Sequence, residues 1–301
     1  MTYPVNAAVA ERTLAHNVFE PALDLLADLT PRLTAETAVR RFLQHDLQRA
    51  LRTILPWTAH PDPHVRRLAS ETTRPRLPWA PRLPALVADP TPALPVLDAL
   101  YRDPSEYVRR SVANHLNDIS RDHPDTAVAT AARWLTDPAP TTRATVRHGL
   151  RTLVKAGDPQ ALALLGHDPD ATLHVTGPEV RTPEVRVGGE LAFRYQVTNT
   201  GSRAASLAID YVIHHRKADG PLSPKVFKLT TRTLEPGEQW SGLRRHSFRP
   251  LTAAATTPAC TAFNSRSTDA PRHSGLHPPG ALTPARPYGR GNSGSSAWVT
   301  V

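Results

Sequence analysis

Basic side chains recur in three segments of the chain at spacings that would suit a phosphate backbone. Each segment reads as helical, and the basic residues are Arg66, Arg67, Arg109, Arg110, Arg143, Arg147, Arg151 and Lys155. If the segments stack as repeats, these residues align along one surface that could track a polyanion. The alternative, that the arginines merely keep the helices soluble, stays open at this point.

The segment SETTRPRLPWAPRL, residues 70–83, is a second candidate site. Glu71 ends a predicted helix, and Arg74, Arg76 and Trp79 follow in a connection that its prolines make rigid. Aromatic residues make up only 6% of the chain, so an exposed tryptophan would be distinctive. The structural alternative is that Trp79 fills the gap between two repeats.

Two more carboxylates, Glu106 and Asp118, lie on the next predicted helix. The structural alternative for Asp118 is that it caps or pairs with a neighbouring arginine, which is the usual fate of a helical acid.

Motifs for other chemistries are absent from the sequence. The fourteen histidines show no HExxH spacing, and there is no Walker loop or GxSxG. The single cysteine, Cys260, excludes a disulfide within the chain and a cysteine-based zinc site.

An internal repeat organises the first half of the chain. Its anchors are Asp62-Pro63, Asp103-Pro104 and Asp137-Pro138, which lie 41 and 34 residues apart. This period is typical of two-helix HEAT-like repeats. Asp can cap a helix and Pro fits the first helical position, so we predict a helix after each anchor.

Apolar stripes at helical spacing support these helices. After the second anchor the stripe is Val108, Val112, Leu116 and Ile119, and after the third it is Val146, Leu150, Leu153 and Val154. Gly157 ends the third helix, and Asp158-Pro159 opens a short one. We also predict helices over 21–29 and 36–55, and thus a HEAT-like α-solenoid over residues 1–168.

The apolar spacing changes to two after about residue 171, which predicts short strands. The expected strands lie within 171–176, 190–201, 206–216, 225–234 and 241–248, with turns at 199–201, 218–220 and 235–237. We predict a small, incomplete β-sandwich over 169–250. Residues 251–301 show neither period and are rich in Pro, Gly, Ser, Thr and Arg, which predicts a disordered tail.

Charge and hydropathy bound the function class. The formal charge of +9 over 301 residues favours a polyanionic partner, although a high-GC genome would also enrich arginine. The first twenty residues lack the pattern of a signal peptide, and no apolar run reaches 18 residues. We therefore expect a soluble cytoplasmic protein without a membrane partner.

Three stretches together resemble a known family. HVRRLASETTRPRLPWAPRL, YVRRSVANHLNDISRDHPD and VRHGLRTLVKAGDPQALALLG are similar to the DNA alkylation repair glycosylases of the AlkC type, relatives of the AlkD type. AIDYVIHHRKADGPLSPKVFKL resembles the immunoglobulin-like domain of one AlkC branch. The resemblance covers roughly residues 20–250, and beyond it the family's further strands are replaced by what reads as truncated or frame-shifted sequence.

The resemblance implies a fold and an activity. Such proteins wrap duplex DNA in a C-shaped array of HEAT-like repeats and hydrolyse the N-glycosidic bond of cationic alkylated bases such as 3-methyladenine. It implies no cofactor, a monomer, and a bacterial cytoplasmic protein that joins the nucleoid when bound to DNA. The alternatives are a non-catalytic HEAT-repeat scaffold for DNA or protein, and a damaged gene product that folds poorly.

The family motifs also imply roles for residues. Glu71 and Glu106 match carboxylates in the motifs, and Asp118 lies four residues after Asn114, a spacing shared with the AlkD type; we predict all three acids as catalytic. Trp79 is expected to pack against the deoxyribose or the lesion. The predicted lesion and DNA contacts are Arg67, Arg74, Arg76, Trp79, Arg109, Arg110, Asn114, Arg147, His148, Arg151 and Lys155.

Overall fold

The computed structural model describes residues 2–181, 185–186, 188–216, 222–249, 262–264 and 299–300. The chain forms two compact units, Met1–Ala156 and Gly157–Val301. The domain boundary that we predict, after residue 168, remains a prediction; the compact units divide earlier, after Ala156. None of the helices in the described ranges combines the length and apolar character that a bilayer crossing needs.

The first unit is built from α-helices, and a twelfth helix opens the second unit. Two short 3₁₀ turns, Leu55–Ala59 and Thr91–Ala93, connect helices of the first unit. In the described residues the helices are α1 (Thr2–Ala15), α2 (Glu20–Leu29), α3 (Glu36–His45), α4 (Leu47–Ile54), α5 (Pro63–Thr72), α6 (Pro84–Ala88), α7 (Leu94–Leu100), α8 (Glu106–Ile119), α9 (Pro124–Thr136), α10 (Thr142–Gly149), α11 (Arg151–Ala156) and α12 (Pro159–Leu164).

Helix α8 lies at the centre of the repeats. It packs against α5 on one side and α10 on the other, so the three segments that carry the repeat are neighbours. Its predicted stripe is confirmed, because Val108, Val112, Leu116 and Ile119 are all buried. Gly149 permits the close approach of α10, since a β-carbon there would lie 2.8 Å from Leu116 Cδ2.

The Asp-Pro anchors do not all act as predicted. Asp62 caps α5, and its Oδ1 accepts a hydrogen bond from the His64 amide at 2.8 Å. The capping prediction is wrong for the other two, because α8 and α10 begin only at Glu106 and Thr142; Asp103 accepts a hydrogen bond from the Ser105 amide, just before α8. Instead, Arg66 donates to Asp103 at 2.6 Å and Arg102 to Asp137 at 2.8 Å. These two aspartates therefore tie successive repeats together.

Two predicted helices are each split in two. The helix expected over 36–55 breaks at Asp46, whose backbone is extended (φ −148°, ψ 97°) and whose side chain caps α4 through the Arg49 amide. The helix after the third anchor ends at Gly149, a poor helix former, and restarts at Arg151. Leu150 between them stays fully buried, so the apolar stripe survives the break.

The second unit is a small β-sandwich. Sheet one has the order β1-β2-β5 and sheet two has the order β4-β3-β6, all antiparallel. Alternate residues of β2 and β3, from Phe193 to Val197 and from Leu207 to Ile213, form its core. The strands are β1 (Leu173–Val180), β2 (Glu190–Asn199), β3 (Ala205–Arg216), β4 (Leu222–Leu234), β5 (Gln239–Ser247), β6 (Ala262–Asn264) and β7 (Val299–Thr300). The prediction of a helical region followed by a small β-domain is confirmed.

Turns and tail complete the comparison with the sequence. Gly237 has a φ of 75° in the predicted 235–237 turn, and the Gly201 amide donates to Asn199 Oδ1 in the 199–201 turn. The predicted 218–220 turn lies outside the described residues. Of the tail after residue 250, the structure describes only β6 and β7, which both pair with β3.

Candidate nucleic-acid interface

The connection between α5 and α6, residues 73–83, is held by a buried arginine of α3. Arg40 donates from Nη1 to the carbonyls of Thr72 (2.9 Å) and Arg74 (2.7 Å). Its Nε and Nη2 donate to the Pro81 carbonyl at 2.9 and 2.5 Å. Because prolines remove amide donors, the connection cannot form its own ladder of hydrogen bonds. The side chain of Arg40 supplies donors that this backbone lacks.

Trp79 stands out from this connection. Its side chain is fully exposed, and its backbone adopts a φ of 64°, an unfavourable value for a residue with a β-carbon. The interpretation that Trp79 fills a gap between repeats is therefore wrong. Leu77, two residues earlier, is buried and anchors the same loop.

Arg76, predicted as a DNA contact, pairs with a carboxylate. Its Nε and Nη2 donate to the two carboxylate oxygens of Asp122 at 2.7 and 2.8 Å. This hydrogen bonding lowers the pKa of Asp122. Arg76 thus fastens the 73–83 connection to the segment after α8, although its side chain still lines the hollow described below.

Five charged residues form a continuous series that we call the buried ion-pair chain. In order along the series they are Glu36, Arg67, Glu71, Arg74 and Asp118, and they come from α3, α5, the 73–83 connection and α8. The nitrogen–oxygen distances are 3.2 Å for Glu36–Arg67, 3.7 Å for Arg67–Glu71, 2.7 Å for Glu71–Arg74 and 2.8 Å for Arg74–Asp118. No side chain in it is more than 19% exposed.

Hydrogen bonds fix the carboxylates of this chain in place. The hydroxyl of Ser111, on α8, donates to Glu71 Oε2 at 2.6 Å. Burial raises the pKa of Asp118, and the hydrogen bond from Arg74 offsets part of that rise. Carboxylates held this way cannot turn towards water, so their charge acts in a fixed direction.

Asp118 also faces a basic hollow of about 460 Å³. Its charged lining consists of Asp118 and five arginines: Arg74, Arg76, Arg82, Arg121 and Arg151. Arg82 and Arg121 are exposed, and among the described residues their guanidinium groups have no ion-pair partner. An excess of guanidinium groups around one carboxylate suits a polyanion that presents a single cationic or polarised group.

Asn114 lines the basic hollow and also a second hollow of about 430 Å³. Its Oδ1 accepts a hydrogen bond from Arg151 Nη2 at 3.1 Å and lies 3.0 Å from His148 Nε2. Burial and the neighbouring Arg151 and Arg110 lower the pKa of His148, which favours the neutral imidazole. These contacts tie α8 to α10 and α11.

Glu106 lies at the second hollow, apart from the other two predicted acids. Its side chain is 77% exposed and pairs with Arg110 at 3.3 Å. Arg109 beside it donates to the carbonyls of Asp103 and Pro104 at 2.6 and 2.8 Å. The structure therefore brings Glu71 and Asp118 together through Arg74 but leaves Glu106 in the open.

The remaining residues predicted to contact DNA lie partly in the buried ion-pair chain and partly on the exposed surface outside both hollows. Arg67 belongs to the buried ion-pair chain and also lies over the ring of Tyr107, 4.9 Å from its centroid. Arg147 and Lys155 are exposed on α10 and α11 and line neither hollow. In the described ranges no group of three potential metal ligands comes together.

Sequence reasoning missed Arg40, Glu36, Arg82 and Arg121. The signal for Arg40 is present, because it lies among the buried Ala38, Val39, Phe42 and Leu43, where an arginine must find partners inside the protein. Glu36 gives no such signal, since it pairs with a residue 31 positions away. Arg82 and Arg121 are not among the basic residues that recur in the three repeat segments.

One buried histidine beneath the ion-pair chain does not take part. His115 is completely buried, and its ring nitrogens make no hydrogen bond of normal geometry. Burial, and then the charge of Arg74, lower its pKa to about 3 despite a small opposing effect of the Ser70 backbone. His115 is therefore neutral near pH 7 and supplies no proton to the hollow.

Comparison with known proteins identifies the class. Residues 174–259 match the family model described as the C-terminal Ig-like domain of uncharacterised protein YhaZ. The solved structure of Pseudomonas fluorescens alkylpurine DNA glycosylase AlkC, bound to DNA with an abasic-site analogue, is 37% identical in sequence, with a TM-score of 0.75. The match covers 83% of this chain and 69% of that one. The similarity in sequence and fold thus identifies an AlkC-type protein, which confirms the resemblance.

The family can be stated more closely. The chain is 40% identical over 244 residues to "Uncharacterized protein YhaZ" of Bacillus subtilis, a match that covers 81% of this chain and 67% of that relative. This chain belongs to the YhaZ family.

Proposed function

We propose that the protein is a monomeric DNA glycosylase that hydrolyses the N-glycosidic bond of cationic alkylated bases, such as 3-methyladenine, in duplex DNA. The observation that carries the proposal is the basic hollow, in which five arginines surround one fixed carboxylate, Asp118. The similarity to AlkC, an alkylpurine DNA glycosylase solved in complex with DNA, supports it.

The two signs of charge have separate tasks. Arg82 and Arg121, which are exposed and without ion-pair partners in the described residues, bind backbone phosphates, and exposed Arg147 and Lys155 extend the basic surface beyond the hollow. The carboxylate then lies where the sugar of a bound nucleotide would come. Trp79, exposed at the rim of the 73–83 connection, packs against the deoxyribose or the lesion.

The proposed chemistry needs an ionised carboxylate that stabilises a cation, and it does not need a proton donor for the leaving base. A base alkylated at N3 already carries positive charge, so it leaves with the electron pair of the N-glycosidic bond without being protonated. The bond breaks first, the sugar becomes oxocarbenium-like, and water then adds to C1′ and loses its proton. Asp118 stabilises the cationic sugar and orients the water.

Glu71 acts on the carboxylate of Asp118 indirectly, through Arg74. Arg74 donates to both acids, at 2.7 Å to Glu71 and at 2.8 Å to Asp118, so the position of each depends on the other. Glu71 itself is buried and does not line the hollow. We assign it the role of holding Arg74, and through Arg74 the carboxylate of Asp118.

The test is release of 3-methyladenine from methylated duplex DNA by the purified protein, followed by chromatography of the free base. Asp118→Asn keeps the shape of the side chain and is expected to lower single-turnover release about 10²- to 10³-fold. Salt-dependent binding of the DNA should change little, because the arginines remain. DNA binding by the wild type without any base release would support the alternative of a non-catalytic scaffold.

Glu106 provides the matched comparison. The family motif predicts that Glu106→Gln abolishes release, whereas the open position of the side chain favours a change of less than about threefold. Loss of release in Glu106→Gln, with Asp118→Asn fully active, would place the reacting sugar at the second hollow and overturn our assignment.

A further inference from the structure

We propose that Arg40 is a positioning residue that sets how the 73–83 connection presents Trp79 to DNA. Its guanidinium group grips both ends of the connection, through the carbonyls of Thr72 and Arg74 at one end and of Pro81 at the other. The catalytic consequence rests on the proposed function, whereas the grip itself does not.

Arg40 can hold both ends of the connection because its guanidinium group carries several donor nitrogens in a fixed plane. Four hydrogen bonds leave three nitrogens of Arg40 towards three carbonyl oxygens, in a side chain that is 1% exposed. A lysine has one ammonium nitrogen at the end of a flexible stem and cannot bridge carbonyls on two sides. The three carbonyls would then be buried with fewer partners, which is unfavourable.

The charge of Arg40 is tolerated because acids lie close by without binding it directly. Burial and the charge of Arg74 lower the pKa of Arg40 to about 10, and the charges of Asp118, Glu36 and Glu71 oppose that shift. The guanidinium group therefore stays charged at neutral pH. Its hydrogen bonds go to backbone and not to carboxylates, so its work is to shape the connection.

Trp79 needs such support because its own conformation is unfavourable. The side chain is fully exposed and the residue has a φ of 64°, so packing of the indole does not hold it in place. Other ties of the connection include the buried Leu77, the pairs of Arg74 with Glu71 and Asp118, the Arg76–Asp122 pair and a backbone bond from Leu83 to Pro75. Arg40 fastens the backbone on both sides of Trp79 to helix α3.

The first test measures the connection without DNA. We expect Arg40→Lys in the full chain to raise the rate of trypsin cleavage at Arg82–Leu83 at least tenfold, with an unchanged far-ultraviolet circular dichroism spectrum. The matched control is Arg49→Lys, because Arg49 forms a partly buried bidentate pair with Glu20 that involves no residue of the connection. Its cleavage rate should stay within twofold of wild type.

The second test asks whether Arg40 acts through Trp79. Arg40→Lys is expected to lower the single-turnover rate of base release about tenfold, and Trp79→Ala by at least as much. In the Trp79→Ala background, Arg40→Lys should then lower the rate less than twofold, since the part that it positions is gone. A generally destabilising effect would instead reduce release equally in both backgrounds.

The outcomes separate the two proposals. Unchanged cleavage at Arg82–Leu83, or an equal loss of release in both backgrounds, overturns the role of Arg40. Absence of release from the wild type overturns the glycosylase, while cleavage still decides whether Arg40 holds the connection. If Arg40→Lys does not fold, Arg40→Gln removes the charge together with the fork and is measured in the same way.

Discussion

Helix α8 carries two ion pairs of opposite character. Near its first turn, Glu106 and Arg110 lie 3.3 Å apart with side chains 77% and 68% exposed. Near its last turn, Asp118 meets Arg74 at 2.8 Å with side chains 4% and 7% exposed. The same two kinds of charge thus occupy an open and an enclosed site on one helix.

The difference shows that chemistry depends on the surroundings of a carboxylate more than on its presence. At an exposed pair, water and salt screen the charges, and either side chain moves freely. At the enclosed pair, the charges act through a medium of lower polarity and point in fixed directions. Only the enclosed site can stabilise a cationic sugar without first being reorganised.

The largest expected contrast between the two sites is in stability. Glu71→Gln leaves Arg67 and Arg74 with less buried negative charge, so we expect it to lower the free energy of unfolding by about 3 kcal/mol. Glu106→Gln should lower it by less than about 0.5 kcal/mol. Urea denaturation followed by circular dichroism gives both values. Equal losses in the two variants would remove the distinction between an enclosed and an open site.

A second contrast concerns the pH dependence of base release. The role that we propose for Asp118 requires an ionised carboxylate. Because burial raises the pKa of Asp118 above the usual 3.8, base release should be lost on acidification at a higher pH than for an ordinary aspartate. The hydrogen bond from Arg74 lowers that pKa. Arg74→Gln should therefore move the acidic limb of single-turnover release to higher pH, whereas Glu106→Gln should leave it in place. A shift of the limb to lower pH in Arg74→Gln would contradict the coupling.

The smallest expected effect is the coupling within the open pair. A double-mutant cycle of Glu106→Gln and Arg110→Gln should give about 0.3–0.5 kcal/mol in low salt, the usual value for helical pairs four residues apart. Raising the salt concentration to 1 M should remove most of it, because the screening length falls to about 3 Å. A coupling above about 1.5 kcal/mol that survives high salt would show that Glu106 is more enclosed than its exposure indicates.

Local patterns predicted the elements well. The stripe of Val108, Val112, Leu116 and Ile119 placed α8, and the change of apolar spacing near residue 171 placed the β-domain. The breaks at Asp46 and Leu150 were missed, because apolar spacing continues across both while the backbone does not. Short-range spacing reports which face is buried, and it reports poorly where one helix ends and another begins.

The site was predictable in part, and distance along the chain explains the limit. Glu71, Arg74 and Asp118 were selected individually, but Arg74 and Asp118 meet across 44 residues, and no local pattern reveals that pairing. Arg40 reaches 41 residues to Pro81 for the same reason. The position of Glu106 beside a family motif indicated importance, whereas only the fold shows that it lies in the open.

The balance of charge beneath the hollow has a consequence for how such a protein can evolve. Two buried guanidinium groups, of Arg40 and Arg74, and the partly buried one of Arg67 are matched by the carboxylates of Glu36, Glu71 and Asp118. A single mutation that neutralises one of these residues leaves a buried charge without its partner, which lowers the free energy of unfolding by about 3–5 kcal/mol. The total for a typical protein is about 5–15 kcal/mol. Exposed Arg82 and Arg121 carry no such constraint and can change one at a time. A lineage can therefore retune its affinity for DNA by single steps, while the carboxylate centre changes only through paired mutations.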